Sequence, residues 1–247
     1  MNREDFEIFN DGLIYFDNAA TTQKPKQVVN SIVEYYTKYT ANAHRGDYDI
    51  SLKVDEKYEA VRDKVKDLIN ANSTKEIIFT KGSTESFNNI IFGFMEHFLE
   101  DKDEIILTKG EHASNILPWM ALSEKIGFKI VYADLEEDYS LSKKNIEDKI
   151  TENTKVVALA HVTNAIGDVR PIKEIGELCK NNNILFVVDA TQSIGHMKVD
   201  VQEANIDFLG FSAHKMLGPT GVGVLYGKEE YLRELDSFKK GGGTTIS

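Results

Sequence analysis

What most restricts the folding of this chain is a series of short, almost unbroken apolar runs: Ile77–Thr80, Ile105–Thr108, Lys129–Tyr132, Val156–Leu159, Ile184–Val188, Phe208–Phe211 and Val222–Tyr226. Their lengths suit strands, and continuous apolarity without alternation marks strands covered on both faces, as in a parallel sheet. Patterns of helical period fall between most of them. Pro25 opens a stretch in which Val28, Val29, Ile32, Val33 and Tyr36 recur at helical spacing, with proline near the first turn that tolerates it. Leu52 to Ile69 carries Val54, Tyr58, Val61, Val65 and Leu68 on one helical face, and Phe87, Ile90, Ile91, Phe94 and Phe98 form another. This is the rhythm of an α/β domain. The last two runs are separated by ten residues, short for a helical crossover, so an antiparallel return is expected there. No internal repeat or low-complexity linker interrupts the pattern.

The 247 residues suffice for one large domain or two small ones. A formal net charge of −11 argues against a nucleic-acid partner, because no basic excess exists to neutralise phosphates. The pairs Lys143-Lys144 and Lys239-Lys240 are most simply solvated faces. No apolar run approaches the ~20 residues of a membrane span, and the acidic start Met1–Phe6 lacks a signal-peptide core. The single cysteine, Cys179, excludes an internal disulfide and suggests a reducing compartment, so a cytoplasmic location is expected.

In open α/β sheets the chemistry gathers outside the carboxyl ends of the strands. Several motifs follow the apolar runs directly. Gly82-Ser83-Thr84-Glu85 offers a tight turn, hydroxyls and free N–H groups at a helix start, which suits a phosphate dianion or an ordinary helix cap. Glu111-His112-Ala113-Ser114-Asn115 carries a histidine that could stack on a flat cofactor, shuttle protons or simply serve the fold. His161-Val162-Thr163-Asn164 presents an amide in a position where turn chemistry is equally at home. Asp189 ends the most apolar run, where a carboxylate needs a cation, a strong donor or a capping role. Phe211-Ser212-Ala213-His214-Lys215 sets a lysine among small residues after a buried strand. Partial desolvation there lowers its pKa and favours an imine-forming amine.

Taken jointly, Ile206–Lys215 and the following Gly221–Leu225 resemble the pyridoxal-phosphate (PLP) attachment signature of class V aminotransferases. More narrowly, the chain is similar to the cysteine desulfurase and selenocysteine lyase branch of the sulfur-mobilisation type. Tyr15–Ala20, Ala43–Gly46, Gly82–Glu85, Glu111–Trp119, His161–Asn164, Asp189–Gln192 and Gly241–Gly243 appear in the order that resemblance expects.

The resemblance implies the large domain of a type I PLP-dependent transferase: a mainly parallel seven-stranded sheet with helices on both faces. An N-terminal segment would occupy residues 1–20 and the PLP-binding domain residues 21–247. A C-terminal small domain, with the nucleophilic cysteine and the arginine that clamps the substrate carboxylate, would lie beyond Ser247.

It also implies roles. Lys215 would be the Schiff-base lysine and move the substrate α-proton. Asp189 would pair with the pyridinium nitrogen and Gln192 with the phenolic oxygen. His112 would stack on the ring and assist proton transfer. Ser83, Thr84, Ser212 and His214 would bind the phosphate, and Asn164 would lie near the ring oxygen and the substrate carboxylate. Ala20, His44 and Arg45 would stand near the entrance. The implied reaction converts cysteine to alanine and passes the sulfur on as a persulfide, with a sulfur-acceptor protein as partner and a homodimer as the assembled form. Selenocysteine lysis, another reaction on the same fold, or PLP binding without catalysis are the alternatives. No metal is implied. Cys179 shares a helical apolar face with Ile172, Ile175 and Leu178, which marks it as a buried, inert thiol.

Overall fold

The structure, a computed structural model, describes residues 1–236, so Lys239-Lys240 and the glycines at 241–243 lie outside the described residues. All seven apolar runs form strands of a single sheet: β1 (Ile77–Thr80), β2 (Glu104–Thr108), β3 (Lys129–Ala133), β4 (Thr154–Ala160), β5 (Leu185–Asp189), β6 (Phe208–Ser212) and β7 (Gly223–Gly227). The order across the sheet is β1-β7-β6-β5-β4-β2-β3. The pairs β2–β3, β2–β4, β4–β5 and β5–β6 are parallel. The final pair, β6–β7, is antiparallel, as its short connection predicts.

β1 departs from the expectation of a strand inside a parallel array. It lies at the edge and, among the described residues, pairs antiparallel with β7 alone. The reason is topological: β7 returns against β6 and leaves its outer edge open, and β1 covers it. Only Ile77 of β1 is fully buried, in keeping with an edge position.

The sheet is covered on both faces. Along the central strands, side chains alternate between two apolar clusters. Ile106, Val157, Leu159, Phe186 and Val188 point to one side, and Ile105, Leu107, Val156, Ala158 and Val187 to the other. The first side is packed by α7 (Ile172–Asn181) through Ile172, Ile175, Leu178 and Cys179. The second is packed by α3 (Ser83–Ile90) and α5 (Leu117–Ile126), whose Phe87, Ile90, Trp119 and Leu122 are buried. α3 runs on through a π-helical turn, Ile91–Met95, into α4 (Glu96–Phe98). The remaining helices are α1 (Lys26–Lys38), α2 (Asp49–Ile69), α6 (Lys143–Glu147) and α8 (Glu229–Leu232).

The two N-terminal helices differ from the rest. α1 starts after Pro25, but none of its residues is buried, and Val29, Ile32, Val33 and Tyr36 all stand in solvent. α2 buries Ser51, Val54 and Ile69 and leaves Leu52, Tyr58, Val61 and Leu68 exposed. Their apolar stripes exist, but the described residues do not cover them.

No helix among the described residues is long and apolar enough to cross a membrane.

Candidate active site

A cavity of about 500 Å³ opens at the carboxyl ends of β4, β5 and β6. Ser83, Thr84, His112, Asn164, Asp189, Gln192, Ser212, His214 and Lys215 all line it, and so does Ala20. Each lies at the carboxyl end of a strand or in the segment that follows one, except Ala20, which belongs to the N-terminal segment.

β5 ends in Asp189, only 5% exposed, whose Oδ1 accepts the Thr191 main-chain N–H at 2.9 Å. Burial holds its carboxyl above the ordinary range, partly offset by the bond from Thr191. Beside it, Thr191 Oγ1 is buried and meets no partner in hydrogen-bond geometry. A buried carboxylate whose donors all come from Thr191 suits a cationic ring N–H, which would supply both charge and a proton to share.

β6 ends in Ser212, and a 3-10 turn, Ala213–Lys215, then turns the lysine into the cavity. Burial lowers the Lys215 pKa from its ordinary value, with Asp189 pulling the other way. An amine more easily deprotonated is the form able to attack a carbonyl. The turn is clamped by the N-terminal segment. The His214 carbonyl accepts the Thr22 N–H at 2.9 Å and the Thr22 hydroxyl at 3.0 Å, and the Lys24 ammonium approaches it at 3.2 Å. The His214 ring places Nδ1 3.1 Å from Thr21 Oγ1. Burial lowers its pKa, with the charges of Lys215 and Lys24 adding to the effect.

A candidate anion seat is built from two distant parts of the chain. Ser83, at the start of α3, gives its main-chain N–H to Ser212 Oγ at 2.8 Å, and the two hydroxyl oxygens are 3.0 Å apart. Two glycines allow this approach. A Cβ on Gly223 would lie 2.4 Å from the Gly82 Cα, and Gly82 itself has φ +154°. The start of α3, two serine hydroxyls, Thr84 and His214 fit a phosphate.

Gln192 gives its Nε2 hydrogen to the Ala19 carbonyl at 2.8 Å, which tethers its amide at the cavity wall. His112 heads a short turn, Ala113–Asn115. The preceding Glu111 is locked beneath it. Its carboxylate is paired with Arg170 and accepts the Ala160 N–H at 2.6 Å, the Thr108 hydroxyl at 2.7 Å and the Asn115 amide at 3.2 Å.

Two of the expected residues are not brought to the cavity. His44 lies against α2, 3.3 Å from Glu59 and 3.7 Å from Asp55, with its ring edge-on to Tyr58. Neither His44 nor Arg45 lines the cavity wall.

Other wall residues, Asp17, Ala19, Ser114 and Thr191, sit inside recognised motifs but were assigned no role from sequence. The Glu111–Arg170 pair was missed, because 59 residues separate its members and nothing in the pattern links them.

Cys179 is 1% exposed on α7, and burial pushes its thiol pKa far above the ordinary value, with Asp207 contributing. It faces the core, away from the cavity. Among the described residues no cluster could hold a metal ion.

Residues 14–247 match the family model described as Aminotransferase class-V. A protein of Borreliella burgdorferi described as "Probable cysteine desulfurase" is 44% identical over 98% of this chain and 59% of its own length. A protein of Halalkalibacterium halodurans with the same description is 41% identical over 96% of this chain and 59% of its own. Among solved structures, the apo cysteine desulfurase of Thermococcus onnurineus NA1 superposes with a TM-score of 0.94 at 42% identity, covering 99% of this chain and 60% of that one. The cysteine desulfurase CsdA of Escherichia coli gives 0.91 at 33% identity, covering 99% and 62%. The chain therefore spans about three-fifths of the length of these relatives. With the family model covering nearly all of it and the cavity placed as the motifs require, the chain belongs to the class V aminotransferase family.

Proposed function

We propose that this chain is the PLP-binding part of a cysteine desulfurase, the enzyme that takes sulfur from L-cysteine and leaves L-alanine. The observation that carries the reading is a buried carboxylate, Asp189, and a half-buried lysine, Lys215, at the ends of adjacent strands on one cavity. When bound, PLP supplies the electron sink that stabilises negative charge at the substrate α-carbon.

The chain's own residues set up that chemistry. Ser83, Thr84 through its main-chain N–H, Ser212 and His214 would seat the phosphate at the helix start. Asp189 keeps the ring nitrogen protonated. Gln192 offers its remaining amide hydrogen to the phenolic oxygen. Lys215 would hold the cofactor through Nζ and would accept the substrate α-proton at the same atom. Asn164, on the cavity wall, would orient the substrate carboxylate, and His112 would cover the ring.

Sulfur transfer calls for an exposed thiolate, and the sequence contains one cysteine, which is buried. The sulfur-accepting thiol and the carboxylate clamp would belong to the small domain of the longer protein. Residues 1–20 would serve as an N-terminal segment reaching the site, and 21–247 as the large domain. The uncovered stripes of α1 and α2 support an assembled homodimer, and cysteine chemistry of this kind fits the cytoplasm and a protein acceptor for the sulfur.

The test is to add PLP to the purified chain. A yellow, borohydride-sensitive chromophore should form, and reduction should fix it to the peptide that contains Lys215. Lys215→Ala should stay colourless. A correctly folded wild-type chain that stays colourless would overturn the reading.

A further inference from the structure

The middle residue of the turn that His112 heads, Ser114, is bonded back to that histidine. His112 Nδ1 accepts the main-chain N–H of Ser114 at 3.1 Å, so the histidine caps its own turn with a ring nitrogen. The Ser114 hydroxyl oxygen also lies 3.1 Å from the same Nδ1 and 2.8 Å from Thr84 Oγ1. A main-chain N–H can only donate, so Nδ1 must offer its lone pair, and the proton of the neutral ring sits on Nε2. With no hydrogen on Nδ1, the Ser114 hydroxyl supplies the proton for its own contact with the ring. Thr84 then supplies the proton between Thr84 and Ser114. All three contacts run in one direction, from the helix start towards the imidazole.

We infer that Ser114 is a positioning residue that fixes the tautomer of His112 and presents Nε2–H as the ring's free donor. Among the described residues Nε2 makes no hydrogen bond, and the ring lines the cavity. His112 in this state gives a hydrogen bond at Nε2 and cannot accept a proton there. Its part in the reaction is thereby narrowed to a donor, with the base role left to Lys215. What the Nε2 hydrogen would meet rests on the PLP reading above, but the tautomer itself does not.

Nitrogen NMR of the imidazole in the whole chain, at about pH 8.5 and so above the ordinary histidine range, reads the tautomer directly. Wild type should show an acceptor-type Nδ1 and a hydrogen-bearing Nε2. Ser114→Ala removes the hydroxyl and keeps the main-chain N–H. It should move the tautomer ratio about fivefold towards Nδ1–H, the worth of one ordinary hydrogen bond. Ser114→Thr should restore the wild-type ratio. A hydrogen on Nδ1 in wild type, or an unchanged ratio in Ser114→Ala, would overturn the assignment. Borohydride trapping on the same samples separates the two readings. Trapping with the wrong tautomer sinks the positioning role alone, and the right tautomer without trapping sinks the cofactor reading alone.

Discussion

α7 and α1 carry nearly the same message in sequence and meet opposite fates. Both are amphipathic, with apolar residues at helical spacing and charges between them. α7 buries Ile172, Ile175, Leu178 and Cys179 against the sheet, whereas α1 buries nothing. The contrast teaches that an apolar stripe states a need for cover without saying who provides it. For α7 the cover is β4 and β5, strands of the same domain. For α1 and much of α2 it would come from outside the described residues, and a contiguous exposed apolar surface is the usual mark of such a contact.

Mutations can break or sharpen this contrast. The largest effect should come from the covered region, where Arg170 is 2% exposed and holds Glu111. Arg170→Met strands a buried carboxylate and should lower the unfolding free energy by about 3–5 kcal/mol, measured by denaturant titration. Ile175→Ala, at 0% exposure on α7, should lower it by about 2–5 kcal/mol, whereas Ile32→Ala on α1 should change it by less than about 0.5 kcal/mol. Equal losses at the two positions would mean that α1 is packed after all.

Asp189→Asn should act in the opposite direction, raising the stability of the PLP-free chain near neutral pH by about 1–3 kcal/mol while weakening PLP capture. The sign follows from burial. The carboxyl pKa is raised in the folded chain, so the folded state favours the protonated form. The stability this group contributes is full below the ordinary carboxylate value and is lost as pH rises through the folded one. The gain in the variant should therefore shrink on acidification, and a gain independent of pH would count against a buried charge. The smallest effect should be Ile32→Glu on α1, which leaves the melting temperature within about a degree or two but reduces self-association in sedimentation runs.

The residues that line the cavity were more legible in the sequence than the neighbours each strand would find. Asp189 and Lys215 announced themselves because a charged residue at the end of an apolar run needs a reason, and that signal is local. The seven strands were readable for the same reason, as was the return of β7. The edge position of β1 was not, because run composition does not say which neighbour a strand will find across more than half the chain. Arg170 was invisible on the same ground: its partner Glu111 is set by the three-dimensional path of two loops. The α1 stripe was read correctly as a stripe, but periodicity does not name an occupant. His44 and Arg45 were placed near the entrance by resemblance alone, and the geometry gives His44 the carboxylates of α2.

Among the described residues, β1 finds its only strand partner far along the chain, with Thr80 opposite Gly223. During synthesis, at about 5–20 residues per second, that edge stays unpaired for roughly 7–30 s after it is made. The two serines of the anion seat wait almost as long for each other, since Ser83 meets Ser212 across 129 residues. A nascent chain thus presents an apolar strand without a ladder, and no competent seat, until the domain is nearly complete. On the proposed reading, cofactor capture would therefore come late in the life of the polypeptide and would report on whether folding has finished.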